Sequence, residues 1–161
     1  MTAAQASQRA WVSLGSNLGP SRRILSQAIR SLAELSQGPL VCSCLRKTAP
    51  VDCPPGSPCF WNAVVGLVPG ATETPQGLLS KLQRLERHFG RRRTGQQNEP
   101  RRLDLDLIAF RRRILKSPGL TLPHPRAHLR AFVLDPLVEV APTYVLPGRR
   151  LTVQELRQRL G

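Results

Sequence analysis

The stretch Arg101-Arg102-Leu103-Asp104-Leu105-Asp106-Leu107-Ile108 holds the residues best suited to chemistry. The aspartates are Asp52, Asp104, Asp106 and Asp135, and two of them stand two residues apart inside an apolar run. Alternation from Leu103 to Leu107 predicts a β-strand, whose side chains switch faces at every step. Asp104 and Asp106 then share one face, and Leu103, Leu105 and Leu107 the other. Two carboxylates side by side repel each other unless a cation sits between them. Such hard oxygen donors suit Mg²⁺, which takes one or two carboxylates and fills its shell with substrate phosphates and water. An edge strand with one solvated polar face accounts for the same pattern, and these residues alone do not choose between the two.

A second polar signal is Asn62, in the otherwise apolar run from Phe60 to Val68. Alternation places Phe60, Asn62, Val64 and Gly66 on one face, and Trp61, Ala63, Val65 and Leu67 on the other. A buried amide needs hydrogen-bond partners, whether backbone or the edge of a heterocycle. Phe60 on the same face offers a stacking surface. Between these two strands lies a basic stretch with Arg91, Arg92, Arg93, Arg101 and Arg102.

The elements that must position these groups follow from periodicity. Ala10–Leu14 reads as a strand, and Gly15-Ser16-Asn17-Leu18-Gly19 as a turn into a helix with Pro20 in its first position. That turn lacks the lysine and spacing of a P-loop, so it reads as a structural turn near a ligand. Leu40–Thr48 is a second strand. Residues 49–58 carry four prolines and a glycine and form a loop. Thr74-Pro75 opens a second helix, with Leu78, Leu79, Leu82, Leu85 and Phe89 on its buried stripe and Gly90 at its end. Gln83 and Glu86 share another face of it. Further on come a short strand at Ile114-Leu115, an extended segment over 122–126 and a helix over Ala131–Val140 despite Pro136. A strand over Tyr144–Leu146 and a last helix capped by Thr152 and Glu155 complete the chain. The order β-α-β-β-α-β is ferredoxin-like: an α+β fold, with helices packed on an antiparallel sheet and additions at the C-terminus.

The chain of 161 residues is expected to form a single domain over 1–161, with 1–9 a flexible tail. No apolar run reaches the length of a membrane span and no signal peptide is visible, so a cytoplasmic protein is expected. The net charge is +14, and among 24 basic residues only Lys47, Lys81 and Lys116 are lysines. This balance draws polyanions, either nucleic acid or nucleotide polyphosphate, and arginine favours bidentate phosphate contacts. Codon bias toward arginine explains the excess equally well. Cys42 and Cys44 read as buried free thiols on one face of the second strand.

Taken together these blocks resemble the 6-hydroxymethyl-7,8-dihydropterin pyrophosphokinase family. The resemblance runs from Leu14-Gly15-Ser16-Asn17-Leu18 through Phe60-Trp61-Asn62-Ala63 and Pro100-Arg101-Arg102-Leu103-Asp104-Leu105-Asp106-Leu107. It continues over Pro123-His124-Pro125-Arg126 and Arg130-Ala131-Phe132-Val133-Leu134. It implies transfer of the β,γ-pyrophosphoryl group of ATP to the pterin hydroxymethyl, with two Mg²⁺ ions held by Asp104 and Asp106. It implies that Phe60 and Phe132 sandwich the pterin, that Asn62 hydrogen-bonds it, and that Thr48 and Val51 line the same pocket. Gln83, Arg91, Arg93, Arg101, His124 and Arg130 would hold ATP, with Arg91 and Arg101 also counted among the catalytic groups. The expected partners are those two small molecules, with no specific nucleic acid and no membrane, for a monomeric enzyme. The competing reading is a basic, ferredoxin-like RNA-binding module without catalysis.

Overall fold

The computed structural model describes residues 1–90 and 99–161. A one-turn helix α1 (Ala3–Ala6) precedes strand β1 (Ala10–Ser16), which leads into helix α2 (Ser21–Glu34). Strands β2 (Val41–Cys42), β3 (Arg46–Thr48) and β4 (Phe60–Leu67) follow, then helix α3 (Pro75–His88) and strand β5 (Asp104–Phe110). A hairpin of β6 (Leu115–Ser117) and β7 (Leu120–Leu122), a 3-10 turn at Ala127–Leu129, and helices α4 (Ala131–Val140) and α5 (Val153–Arg159) complete the chain. The main sheet is antiparallel throughout, in the order β2-β4-β1-β5 with β3 also paired to β4. This is the expected β-α-β-β-α-β core.

The alternating strands bury residues on both faces. On one face α2 and α3 supply Leu25, Leu32, Leu78 and Leu82 against Leu14, Leu67 and Leu105. On the other face α4 brings Val133, Leu134 and Leu137 against Trp11, Val64 and Ile108, and α5 packs on α4. The helix starts follow the predicted capping: Thr74 accepts from the Gly77 amide ahead of Pro75, and Thr152 and Glu155 form a capping box.

Strand β5 departs from simple alternation at one point. Leu107 pairs with Val12 and Ala109 with Trp11, so Ile108 is an extra residue in the ladder. Ile108 and Ala109 therefore both face α4, while Leu107 and Phe110 face the opposite core. The bulge spares the residues before it, so Asp104 and Asp106 keep the common face that their spacing predicts.

Other expectations are corrected. The strand predicted over Leu40–Thr48 is interrupted: Cys42 opposes Val65 and Arg46 opposes Asn62, so residues 43–45 face only 63–64. Ser43 takes over the ladder there, its amide donating to the Val64 carbonyl and its Oγ accepting from the Val64 amide, while the Cys44 amide donates to Glu139 of α4. The parity change turns Leu45 inward in place of Cys44, and Cys42 lies on the outer edge of the sheet. Both thiols are exposed rather than buried. Tyr144–Leu146 makes a single bridge, Val145 to Thr152, instead of a strand. The strand expected at Ile114-Leu115 begins at Leu115, because its partner is β7 and Ile114 points into solvent. Residues 1–9, expected to be a tail, carry α1 with a capping box, a buried Ala6, and a 3.0 Å bond from Trp11 Nε1 to the Ala6 carbonyl.

Candidate active site

Helix α4 covers only one half of its sheet face. On the uncovered half, Gly15 of β1 stands between Asn62 of β4 and Asp104 of β5, a row of three residues across neighbouring strands. A Cβ at Gly15 would lie 3.1 Å from Asn62 Oδ1, 3.6 Å from the Phe60 ring and 4.0 Å from Asp104 Cβ. Glycine therefore makes the floor of a cleft between an aromatic–amide wall and a carboxylate wall. In the next row Ser13 separates Val64 from Asp106.

The amide wall is tightly specified. Asn62 is buried, and its Nδ2 donates to Thr48 Oγ1 of the neighbouring strand at 2.6 Å. That bond orients the amide so that its oxygen faces Gly15. Phe60, one pair earlier, is half-buried. Val51 belongs to the loop after β3 and is 56% exposed, so its side chain contributes little wall.

The carboxylate wall is bordered by arginines. Arg101 Nε lies 3.4 Å from Asp104 Oδ2, and the Arg101 guanidinium sits 5.9 Å from the Phe60 ring centroid. The same Nε is buried and makes no hydrogen bond among the described residues. Arg130 caps α4 and reaches Asp106 Oδ2 at 3.6 Å, with its guanidinium 5.5 Å over Phe132 in the first turn of that helix. Phe60 and Phe132 thus each have beside them an arginine that also reaches one of the two aspartates. Among the described residues no third His, Cys, Asp or Glu joins the aspartates into a metal-binding cluster. Two hard carboxylates with the remaining positions open suit Mg²⁺ shared with phosphate oxygens.

His124 is tied to the same strand, its amide donating to the Ile108 carbonyl at 2.8 Å. Burial lowers its pKa to about 4, assisted by Arg130 and Arg126 and opposed by Asp104. The imidazole is neutral at pH 7. Its Nδ1 accepts from the Arg126 amide at 3.1 Å, which leaves the proton on Nε2 as a donor. Arg126 also pairs with Asp52 at 2.9 Å, linking the proline-rich loop to the segment that carries His124 and Arg130.

Three expected site residues are not brought into this cleft by any described contact. Gln83 is half-buried on α3, which packs behind β5. Arg91 and Arg93 lie outside the described residues. Conversely, two residues carry more than periodicity reveals. The Glu86 carboxylate is buried on α3 and accepts from the Leu105 amide at 2.8 Å, holding the free edge of β5 between the two aspartates. Asn17, in the turn after β1, accepts from the Arg101 amide at 2.9 Å and donates to the Pro58 carbonyl at 3.2 Å. Its own amide donates to the Arg101 carbonyl at 3.1 Å, so one buried side chain sets both walls in a common frame. A buried amide in a Gly-Ser-Asn turn is the only signal that points to Asn17 in advance. The matching signal for Glu86 is a lone acid on the face shared with Gln83.

Comparison with known proteins agrees with this architecture. A family model described as 7,8-dihydro-6-hydroxymethylpterin-pyrophosphokinase (HPPK) matches residues 11–142. The chain is 36% identical over 151 residues to 2-amino-4-hydroxy-6-hydroxymethyldihydropteridine pyrophosphokinase of Haemophilus influenzae, covering 92% of this chain and 91% of the relative. It is 39% identical over 146 residues to the Pseudomonas aeruginosa protein of that name, covering 89% and 88%. The crystal structure of Plasmodium falciparum HPPK-DHPS with pteroate superposes with a TM-score of 0.72 at 12% identity, a likeness of fold. It covers 94% of this chain and 44% of that longer one. With the described cleft lying inside the matched span and the relatives aligned over most of their length, this chain belongs to the 7,8-dihydro-6-hydroxymethylpterin-pyrophosphokinase family.

Proposed function

We propose that the chain transfers the β,γ-pyrophosphoryl group of ATP to the hydroxymethyl of 6-hydroxymethyl-7,8-dihydropterin. The products are the pterin diphosphate and AMP, in tetrahydrofolate biosynthesis. The observation that carries this reading is the row Asn62–Gly15–Asp104, which sets an aromatic–amide pocket directly beside a carboxylate pair. The pterin stacks between Phe60 and Phe132, and its polar edge meets Asn62, with Thr48 and the Val51 backbone at the rim. Stacking on two rings supplies area, and the fixed amide supplies orientation. Asp104 and Asp106 hold two Mg²⁺ ions, which neutralise charge on the polyphosphate when bound.

The remaining work falls to the protein. Arg101 and Arg130 present guanidinium groups to the phosphate oxygens, and His124 adds a neutral Nε2–H donor. Arg91, Arg93 and Gln83 complete the nucleotide contacts in this reading. Holding the hydroxyl in line with the β-phosphorus is the principal contribution, because phosphoryl transfer depends on positioning and electrostatics. The free thiols among the described residues fit a reducing cytoplasm, and small-molecule substrates require no partner chain. The reading as an RNA-binding module gains nothing from this face, whose two carboxylates repel phosphate unless cations intervene.

The nucleotide product tests the reaction. With ATP, Mg²⁺ and the pterin alcohol, AMP is expected in step with pterin consumption. ADP in that stoichiometry means ordinary γ-phosphoryl transfer and overturns the reading.

A further inference from the structure

The sheet end opposite the cleft holds a second concavity, of about 420 Å³. It lies between α1, the turn after β5 and the segment 144–149. Arg111, Arg112 and Arg149 line it, and among the described residues no acidic side chain does. Arg111 is committed elsewhere, its guanidinium donating to the Pro69 and Gly70 carbonyls at 3.0 and 2.9 Å. Arg112 and Arg149 are exposed, with side contacts to Ser7 and His128 that leave further N–H donors in each guanidinium.

Two features of this concavity call for a ligand with an apolar body. Ile114 and Val145, 68% and 37% exposed, are among the few large aliphatic side chains left on the surface, and both line it. Tyr144 also lines it, is 1% exposed, and its hydroxyl has no hydrogen-bond partner among the described residues. Burial pushes that phenol above its ordinary pKa, so it remains a donor at neutral pH. An unpaired buried donor is costly, and a native fold rarely leaves one without reason. Apolar walls with a few converging polar groups are the usual composition of a small-molecule site.

We infer that this concavity binds a small organic anion, its apolar body against Ile114 and Val145, its charge toward Arg112 and Arg149, and an acceptor atom on the Tyr144 hydroxyl. This site would give part of the arginine excess a task that the cleft does not use. It does not depend on the transfer reaction, because none of its residues belongs to the cleft.

The test titrates phenyl phosphate, benzoate and inorganic phosphate into the full chain, reading amide shifts residue by residue. Saturable shifts at Ile114, Val145, Gly148 and Arg149 are expected for both aromatic anions. Inorganic phosphate should bind about tenfold more weakly, because it lacks the apolar body. Which aromatic anion binds more tightly tells a phosphate site from a carboxylate site. Tyr144→Phe and Arg149→Gln should each weaken binding about tenfold. Tyr144→Phe should keep or raise Tm, since it removes a donor that has no partner. The proposal fails if no saturable shift appears at these residues up to about 10 mM, a range reaching well past millimolar affinity. It also fails if both variants bind like the wild type, or if Tyr144→Phe lowers Tm, which would mean that the hydroxyl already has a partner.

Discussion

The face of the sheet that meets α4 has two halves of opposite character. In the covered half β1, β4 and β5 present Trp11, Val64, Ile108 and Ala109, all with no exposed surface. A few residues along the same three strands stand Gly15, Phe60, Asn62, Asp104 and Asp106. Both halves are built on the same three strands, so the difference lies in what each half is packed against. Burial stabilises the first half by roughly 25 cal/mol for each Å² of apolar surface removed from water. The second half keeps polar groups in contact with one another and with arginines, an arrangement that favours an incoming anion and cation over a closed core. Phe132 and Arg130 mark the border, because α4 begins there.

Substitutions in the two halves should therefore fail in different ways. On the proposed cation role of Asp106, Asp106→Asn should lower kcat by about a thousandfold or more, equivalent to at least about 4 kcal/mol. Its urea midpoint should stay close to wild type. A near-normal rate with Mg²⁺ would show that the carboxylate pair does not hold the metal. Leu134→Ala in the covered half should do the reverse, destabilising by about 2–5 kcal/mol because it opens a cavity in a close-packed region. KM for both substrates should be unchanged on the fraction that remains folded. An altered pterin KM would mean that the halves are not separable and that α4 transmits packing changes to Phe132.

The smallest effect concerns the border. The folded pKa of His124, about 4, lies below the ordinary 6.5. Between those values the unfolded chain takes up a proton that the folded chain refuses. Stability from this site is thus fully present above pH 6.5 and is lost as pH falls toward 4. The side chain is only partly buried, so the loss from pH 7 to pH 5 should be about 1 kcal/mol after solvent screening. His124→Gln should remove that share of the pH dependence, as measured by urea unfolding at both pH values. If wild type and variant show parallel stability curves, His124 titrates normally and neither its burial nor the neighbouring arginines disfavour its charged form.

Much of this arrangement is legible along the chain. Leu-Asp-Leu-Asp alternation places two carboxylates on one face, and the same rule puts Phe60 with Asn62. Helix boundaries at Thr74-Pro75 and Thr152–Glu155 are legible because capping is local chemistry between residues three apart. The errors fall where a distant residue competes for the backbone. The Leu40–Thr48 strand breaks because Ser43 and Glu139 satisfy amides that the ladder would have used. Ile108 is an extra residue that no periodicity announces. Cys44 is turned outward by this break in parity, whereas Cys42 precedes it and is exposed because β2 is the edge of the sheet.

The sequence by itself determined the element order, the pairing of Asp104 with Asp106, and the aromatic–amide pair of β4, because each depends on spacing within one segment. Only the tertiary structure decided that Gly15 lies between those pairs. The same holds for Asn17 bonding to both walls, Glu86 holding the edge of β5, and α4 stopping short of the cleft. Those relations join residues of different elements, 19 positions apart for Glu86 and Leu105 and 84 for Asn17 and Arg101, and they exist only once the fold has brought the segments together.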